Sequence, residues 1–87
     1  MAAKPDYTAL DAAILEAIGL IRRTGRPAEF WRIESNVRPH ATPLADARNA
    51  GLQPRLQKDP WRFTDARLQA LKRAGKIRFD GKGWVLL

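Results

Sequence analysis

The sequence predicts an α+β fold in which three helices are followed by a C-terminal two-stranded β-hairpin. Two observations lead to this prediction. Apolar residues recur at helical spacing in three segments between residues 9 and 74, and residues 76–87 alternate apolar and polar positions around a glycine-rich turn. At 87 residues the chain has room for one core, so we expect a single domain over residues 1–87, with a flexible segment at 1–7.

The first predicted helix runs from Ala9 to Arg23. Thr8 precedes it as a capping residue whose hydroxyl accepts a hydrogen bond from the first turn, and Gly25 follows it as a stop. The acidic polar face indicates a helix that packs into a core, because a helix lying on a membrane surface carries bases there. Its apolar row at helical spacing consists of Leu10, Ile14, Ile18 and Ile21.

The second predicted helix runs from Pro27 to Val37. Pro27 suits the first turn, where its missing N–H has no helical partner, and Pro39 ends the helix because the residue before a proline disfavours the α region. Residues 38–60 are the least regular part of the chain. A short helix at 43–50 fits within them, with Pro43 in its first turn and Gly51 just beyond its end.

The third predicted helix runs from Pro60 to Ala74, with an alternative start at Thr64. Asp59 stands at the capping position, Trp61, Leu68 and Leu71 share one face, and a glycine closes the helix. The hairpin follows at 76–87. Its turn is Asp-Gly-Lys-Gly at 80–83, and its buried face packs on the helices, because a lone two-stranded hairpin is marginal in water.

The charge of the chain is unevenly distributed. Residues 1–21 hold one base and three acids, a net charge of −2, whereas residues 22–87 hold 15 bases and six acids, a net charge of +9. Such asymmetry indicates a polyanionic partner, although an arginine-rich surface that serves only solubility is the alternative. The chain contains no cysteine, which excludes disulfides and thiolate chemistry, and it contains no spanning segment or signal peptide pattern. We therefore expect a soluble cytoplasmic protein.

The order of three helices and a hairpin, together with the pattern Leu68-x-x-Leu71-x-x-x-Gly75-Lys76-Ile77 followed by Gly83-Trp84-x-Leu86, resembles the winged helix-turn-helix superfamily of DNA-binding domains. In that family the glycine ends helix 3, the next apolar residue begins the first wing strand, and an aromatic residue starts the return strand. The resemblance extends over residues 9–87 as an architecture and over 60–87 as a motif, without pointing to a subfamily.

The predicted connection between helices 2 and 3 departs from the family pattern. Family members usually join these helices by a tight turn, whereas some 22 residues intervene here. Either the short helix at 43–50 is inserted into the motif, or that short helix is itself the partner of helix 3.

The resemblance implies that helix 3 enters the major groove of DNA. Helical spacing then places six residues opposite Leu68 and Leu71, where they face the bases: Arg62, Asp65, Ala66, Gln69, Lys72 and Arg73. Guanidinium groups suit guanine edges and an amide suits adenine, so we select Arg62, Gln69, Lys72 and Arg73 as DNA-binding residues. A plain solvated helix face is the alternative.

Four further cations are candidates for backbone contacts. Arg55 and Lys58 precede helix 3, whose N-terminal amides attract phosphates, and Arg78 and Lys82 lie on the hairpin that would act as a wing. The three tryptophans would suit base stacking in a single-strand binder. Each of them lies on or beside an apolar row, however, so we assign them to the core: Trp31, Trp61 and Trp84.

The sequence offers little support for catalysis. His40 is the only histidine, has no motif neighbours and is expected in a loop. No carboxylate pair, phosphate-binding glycine loop or nucleophile motif is present, so we expect no catalytic residues, no cofactor, no metal and no small-molecule substrate. These expectations describe a binding protein rather than an enzyme.

The sequence favours a small basic protein that binds double-stranded DNA, of the type of a bacterial or phage transcriptional regulator, with helix 60–74 in the major groove and the 76–87 hairpin as the wing. A second hypothesis is a winged-helix module that docks on a protein partner through exposed apolar residues of the 38–60 segment: Leu44, Leu52 and Leu56. A homodimer is a separate alternative for the partner, in which helix 1 would have a role beyond the core. A third is an RNA binder, since the same basic surface would serve it.

Overall fold

A computed structural model describes residues 6–87, and it confirms the predicted fold class. Residues 1–5, which make up most of the segment predicted to be flexible, lie outside the described part. Three helices precede a two-stranded antiparallel hairpin, an α+β arrangement consistent with a winged-helix layout. The elements are α1 (Thr8–Arg23), α2 (Phe30–Asn49), a 3-10 turn (Pro54–Leu56), α3 (Pro60–Arg73), β1 (Ile77–Phe79) and β2 (Trp84–Leu86).

Helix α1 buries the predicted apolar row, but its N-terminus is held differently from the prediction. Thr8 is the first helical residue, and the Asp6 carboxylate accepts a hydrogen bond from the Thr8 amide at 2.9 Å. The capping role predicted for Thr8 is therefore wrong, because a charged acceptor two residues earlier satisfies that end of the helix. Hydrogen bonds from Thr8 lower the pKa of Asp6.

Helix α2 is one continuous helix of 20 residues, and it contains both Pro39 and Pro43. The predicted end of helix 2 at Val37 and the predicted separate helix at 43–50 are both wrong. Each proline removes one backbone hydrogen bond, but both lie on the exposed side of the helix. The opposite side continues its buried row past them, so tertiary packing outweighs the local cost of the prolines: Ile33, Val37, Ala41 and Ala45. His40 consequently lies on an exposed helix face rather than in a loop.

The continuity of α2 shortens the connection to α3. Residues 50–59 form this connection, in place of the 22 residues predicted from the sequence. The Asn49 side chain closes it, donating to the Lys58 carbonyl and accepting from the Lys58 amide, each at 2.8 Å. The three leucines of residues 38–60 that were predicted to be exposed differ from one another. Leu56 is exposed, whereas Leu44, in α2, packs against the core and Leu52 is half-buried.

The hairpin packs on the helices through a third extended segment that the sequence did not predict. In the hairpin Phe79 pairs with Trp84, and Ala28, between α1 and α2, forms an isolated bridge to the same Trp84. The Trp84 amide donates to the Ala28 carbonyl at 2.9 Å. This bridge explains why α2 begins at Phe30 and not at Pro27, since the backbone of residue 28 is extended alongside β2.

Only one of the three tryptophans lies in the core as predicted. Trp84 is 7% exposed, whereas Trp31 is 57% and Trp61 is 41% exposed. Trp31 follows the inward Phe30 by one position, which is about a 100° rotation around the helix, and it therefore points outward. The prediction for Trp31 failed because adjacency to an apolar row does not place a residue on that row. Trp61 does lie on the face of Leu68, but it stands in the first turn of α3, where its ring packs on Phe30 and remains partly exposed.

Candidate nucleic-acid interface

The exposed side of α3 carries unpaired positive charge. Thr64, Leu68 and Leu71 face the core, and the opposite side exposes the predicted residues Arg62, Lys72 and Arg73, whereas Gln69 is half-buried. None of these three cations forms an ion pair with any residue of the part that the structure describes. Their charge is therefore available to an external anion.

A different arginine fixes α3 to the rest of the domain. Arg67 forms a bidentate ion pair with Asp11 of α1, with both nitrogen-to-oxygen distances at 2.8 Å, and its guanidinium lies 4.6 Å from the centre of the Tyr7 ring. The hydrogen bond and charge of Asp11 raise the pKa of Arg67 further above its usual range. This half-buried pair sets the rotation of α3 about its axis and so directs Arg62 and Arg73 outward.

An open cleft at the start of α3 brings two predicted residues together with one that sequence reasoning missed. Lys58 and Arg62 line this cleft, whose volume is about 200 Å³, and Arg48 from the last turn of α2 faces them across it. Tyr7, Phe63 and Ala66 complete the lining, and none of the lining residues within 6–87 is acidic. We call this the basic cleft. Three cations around one depression suit an anion with several acceptor oxygens, such as a phosphate.

Trp61 adds an exposed aromatic surface beside the basic cleft. Its ring packs edge-to-face on Phe30, with the ring centres 6.4 Å apart, and the Arg62 guanidinium lies 5.1 Å from the centre of the Trp61 ring. Arg62 therefore belongs both to the cleft and to this aromatic surface. The sequence held a signal for Arg48, a base in the last turn of the short helix predicted at 43–50, but that helix was not recognised as the end of the continuous α2, so its position relative to α3 was not predicted.

The remaining predicted residues do not join the basic cleft. Arg55 lies exposed in the 3-10 turn, and Arg78 lies exposed on β1. Lys82, at the tip of the hairpin, lines a second open depression together with Arg22 and Arg26 from the end of α1 and the segment after it. The structure thus groups the wing lysine with cations that the sequence did not connect to the site.

Asp80 shapes the hairpin tip that presents Lys82. Its carboxylate accepts hydrogen bonds from the amides of Lys82 and Gly83, both at 2.9 Å, and lies 3.9 Å from Arg22. These amide hydrogen bonds lower the pKa of Asp80, and the nearby charges of Arg22 and Arg78 add to the effect. The turn is therefore held by the ionised carboxylate.

The candidate interface is mixed in charge, and the described residues show no metal site. Asp65 is exposed on α3 between the predicted cations, and Asp59 precedes the helix. Within residues 6–87 no three histidine, cysteine or acidic side chains are grouped so that they could hold a metal ion. Over the same residues, the structure shows no helix with the length and apolarity needed to cross a membrane.

Comparisons of the chain with protein-family models, with curated proteins and with solved structures found no match.

Proposed function

We propose that this chain is a duplex DNA-binding protein that inserts α3 into the major groove and uses the β1–β2 hairpin as a wing. The observation that carries the proposal is the group of three exposed, unpaired cations on α3, Arg62, Lys72 and Arg73, of which Arg62 also lines the basic cleft. An α-helix fits the major groove of B-DNA, and cations on its outward face meet base edges and phosphates.

The basic cleft supplies the positioning contacts in this proposal. Arg48, Lys58 and Arg62 converge at the start of α3, where the positive end of the helix dipole adds its own attraction for an anion. A DNA phosphate held there would fix the register of α3 on the duplex. Contacts of this kind supply affinity without reading sequence.

Base readout is assigned to the middle and end of α3. Gln69 and Arg73 present an amide and a guanidinium, the groups that pair with adenine and guanine edges. Lys72 is better suited to a backbone phosphate, because an ammonium group is a point charge without the planar fork of arginine. The wing contributes Arg78 and Lys82, and Lys82 acts with Arg26 at the hairpin tip, where Arg22 is paired with Asp80.

Regulation of transcription is the role that this mode of binding suits best, because a protein that binds DNA in this way acts by occupying its site. A duplex DNA partner in a bacterial cell also implies action in the cytoplasm. The regulatory role and the cytoplasmic location both depend on the proposed DNA binding.

The proposal is tested by titrating the protein with random-sequence duplex DNA at two salt concentrations. If the five cations of α3 and the basic cleft each neutralise one phosphate, the logarithm of the binding constant falls with the logarithm of salt with a slope of about −4 to −5. Absence of binding at low salt would refute the proposal. A slope near zero would show that these cations do not contact DNA phosphates.

Charge-matched variants locate the interface. Arg62→Gln and Arg73→Gln each remove one positive charge from the site, and Ser35→Glu lowers the net charge by the same amount at an exposed position of α2 outside it. We expect the two arginine variants to bind about 5- to 100-fold more weakly, with Ser35→Glu much closer to the wild type. Equal losses in all three variants would show that net charge, and not α3, controls binding.

The exposed Trp61 favours a second candidate function, binding of single-stranded nucleic acid, including RNA. An exposed aromatic ring beside Arg62 and the basic cleft is the combination that stacks an unpaired base next to a phosphate. Single-stranded DNA and RNA competitors distinguish the two candidates. Preferential binding of a single strand, abolished by Trp61→Ala, would favour the second candidate over the first.

A further inference from the structure

The outward side of α1 carries apolar surface that the rest of the described chain does not cover. Leu20 is 52% exposed in the middle of this side, and Leu86 of β2, beside it, is 45% exposed. With Leu15 and Gly19 they form a shallow depression of about 290 Å³, and Glu16 and Arg23 complete its lining. We call this the α1 depression. Two large apolar side chains exposed side by side indicate a surface that another molecule covers.

The two charged residues of the α1 depression have no ion-pair partner within residues 6–87. Two other charged residues of α1 form ion pairs outside the depression: Asp11 pairs with Arg67, and Arg22 pairs with Asp80. Glu16 and Arg23 are opposite in sign and seven residues apart, about 10 Å along the helix, so they are too far apart to pair with each other. They lie on either side of Gly19 and Leu20.

This spacing is self-complementary. If two α1 helices cross antiparallel with a two-fold axis between positions 19 and 20, Glu16 of one copy meets Arg23 of the other, and the pair forms twice. The same axis places Leu20 of each copy over Gly19 of the other. An isologous interface requires such reciprocity, in which one patch matches itself.

Gly19 lies on the floor of the α1 depression. A glycine inside a helix costs about 1 kcal/mol relative to alanine. A Cβ atom at this position would meet only Leu86 Cδ1, at 3.5 Å, which is an ordinary contact. Alanine at position 19 would therefore be compatible with the fold. The absence of a side chain on Gly19 instead leaves room in the α1 depression for a leucine side chain of another molecule.

We infer that the α1 depression binds a second copy of this chain, as an antiparallel α1–α1 pair in which Leu20 fills the partner's depression and Glu16 pairs with Arg23 of the partner subunit. The inference does not depend on DNA binding, because the residues of the α1 depression are distinct from those of α3 and the basic cleft. Its test contains no nucleic acid, so its failure and the failure of the proposed function are separate results.

Charge exchange tests the pairing. Sedimentation equilibrium of the wild type should show a concentration-dependent dimer, and Glu16→Arg or Arg23→Glu alone should raise its dissociation constant roughly tenfold or more, because each substitution turns two attractions into two repulsions. The double variant Glu16→Arg/Arg23→Glu exchanges the charges and should restore the dimer. Asp46→Arg, on the exposed side of α2, changes the charge as much as Glu16→Arg does and should leave the dimer unchanged.

Leu20→Asn provides an independent variant that removes the apolar contact without altering charge, and it should also produce a monomer. Circular dichroism of each variant checks that the helices remain formed. A wild type that stays monomeric at about millimolar concentration, where even a weak dimer forms, would overturn the inference. A double variant that dimerises no better than the single ones would also overturn it, as would a dimer that survives both single reversals.

Discussion

The contact between Gly83 and Ala28 gives the sharpest test of how the hairpin is attached to the helices. A Cβ atom placed on Gly83 would lie 2.8 Å from the Ala28 nitrogen and 2.9 Å from both its carbonyl carbon and its oxygen. All three are backbone atoms, so no side-chain rotation can relieve the contact. Gly83→Ala must therefore push β2 away from Ala28 by about half an ångström or more, because non-bonded carbon contacts are comfortable at about 3.5 Å.

The cost follows from what this displacement breaks. The hydrogen bond from the Trp84 amide to the Ala28 carbonyl, at 2.9 Å, is lost or weakened, which costs about 1 kcal/mol. Trp84, which is 7% exposed, loses part of its packing, and overpacking of this kind costs about 1–3 kcal/mol. We expect the free energy of unfolding to fall by about 2–4 kcal/mol, a large share of the stability of so small a domain.

Urea unfolding followed by circular dichroism measures this change, with Gly81→Ala as the matched control. Gly81 has a positive φ of 94° and open space where a Cβ would lie, so alanine there costs only backbone strain, about 1 kcal/mol. Gly83→Ala should therefore be the more damaging of the two. A Gly83→Ala variant as stable as the wild type, or less affected than Gly81→Ala, would refute the attachment of β2 to Ala28.

Three further results are expected. Pro39→Ala should raise the free energy of unfolding, measured in urea, by about 1–3 kcal/mol, because it restores an amide donor inside the continuous helix α2. An unchanged free energy of unfolding would indicate that the helix ends before Pro39. Thr64→Val should stabilise the domain by about 1 kcal/mol in the same assay, because the Thr64 hydroxyl is fully buried and has no hydrogen-bond partner within residues 6–87. A loss of stability would show that the hydroxyl does have a hydrogen-bond partner. The Asp80 carboxyl, followed by NMR, should titrate below its ordinary pKa of 3.8. Because the pKa is lower in the folded state, Asp80 stabilises the hairpin turn above about pH 4, and this stabilisation is lost as the pH falls through the lowered pKa. A midpoint at or above 3.8 would contradict the hydrogen bonds at the turn.

The parts of the fold that the sequence predicted are those in which local pattern and tertiary packing agree. The apolar row of α1, the buried Leu68 and Leu71 of α3, and the two strands of the hairpin each occupy a single short segment, and the structure contains all three. The periodicity of the two helices was enough to place them, because one face of each is buried. The alternation predicted for the hairpin is wrong, because Phe79 is 51% exposed whereas the consecutive Trp84 and Val85 are both buried.

The errors arose where distant residues override local preference. Pro39 and Pro43 are strong local signals for the end of a helix, but the buried Ala41 and Ala45 keep the helix going, and alanines carry little hydrophobic signal. The Ala28 bridge could not be predicted either, because a single extended residue has no periodicity and its partner Trp84 lies 56 positions away.

The candidate site was predicted in part. The outward position of Arg62, Lys72 and Arg73 followed from helical spacing, once the buried face of α3 was known. Arg48 and Tyr7 could not be assigned to the same cleft, because their approach to α3 depends on the continuity of α2 and on the Asp11–Arg67 ion pair. Tertiary contacts of this kind, between residues far apart in sequence, leave no local pattern.

The most direct test of the proposed function is to map the DNA-binding surface by NMR, following the backbone amides as random-sequence duplex DNA is added at low salt. We expect the largest chemical-shift changes in the basic cleft and along α3, at residues 58–73, with smaller changes at the hairpin tip around Lys82. Changes confined to the α1 depression, or none at a saturating concentration of duplex, would contradict the account.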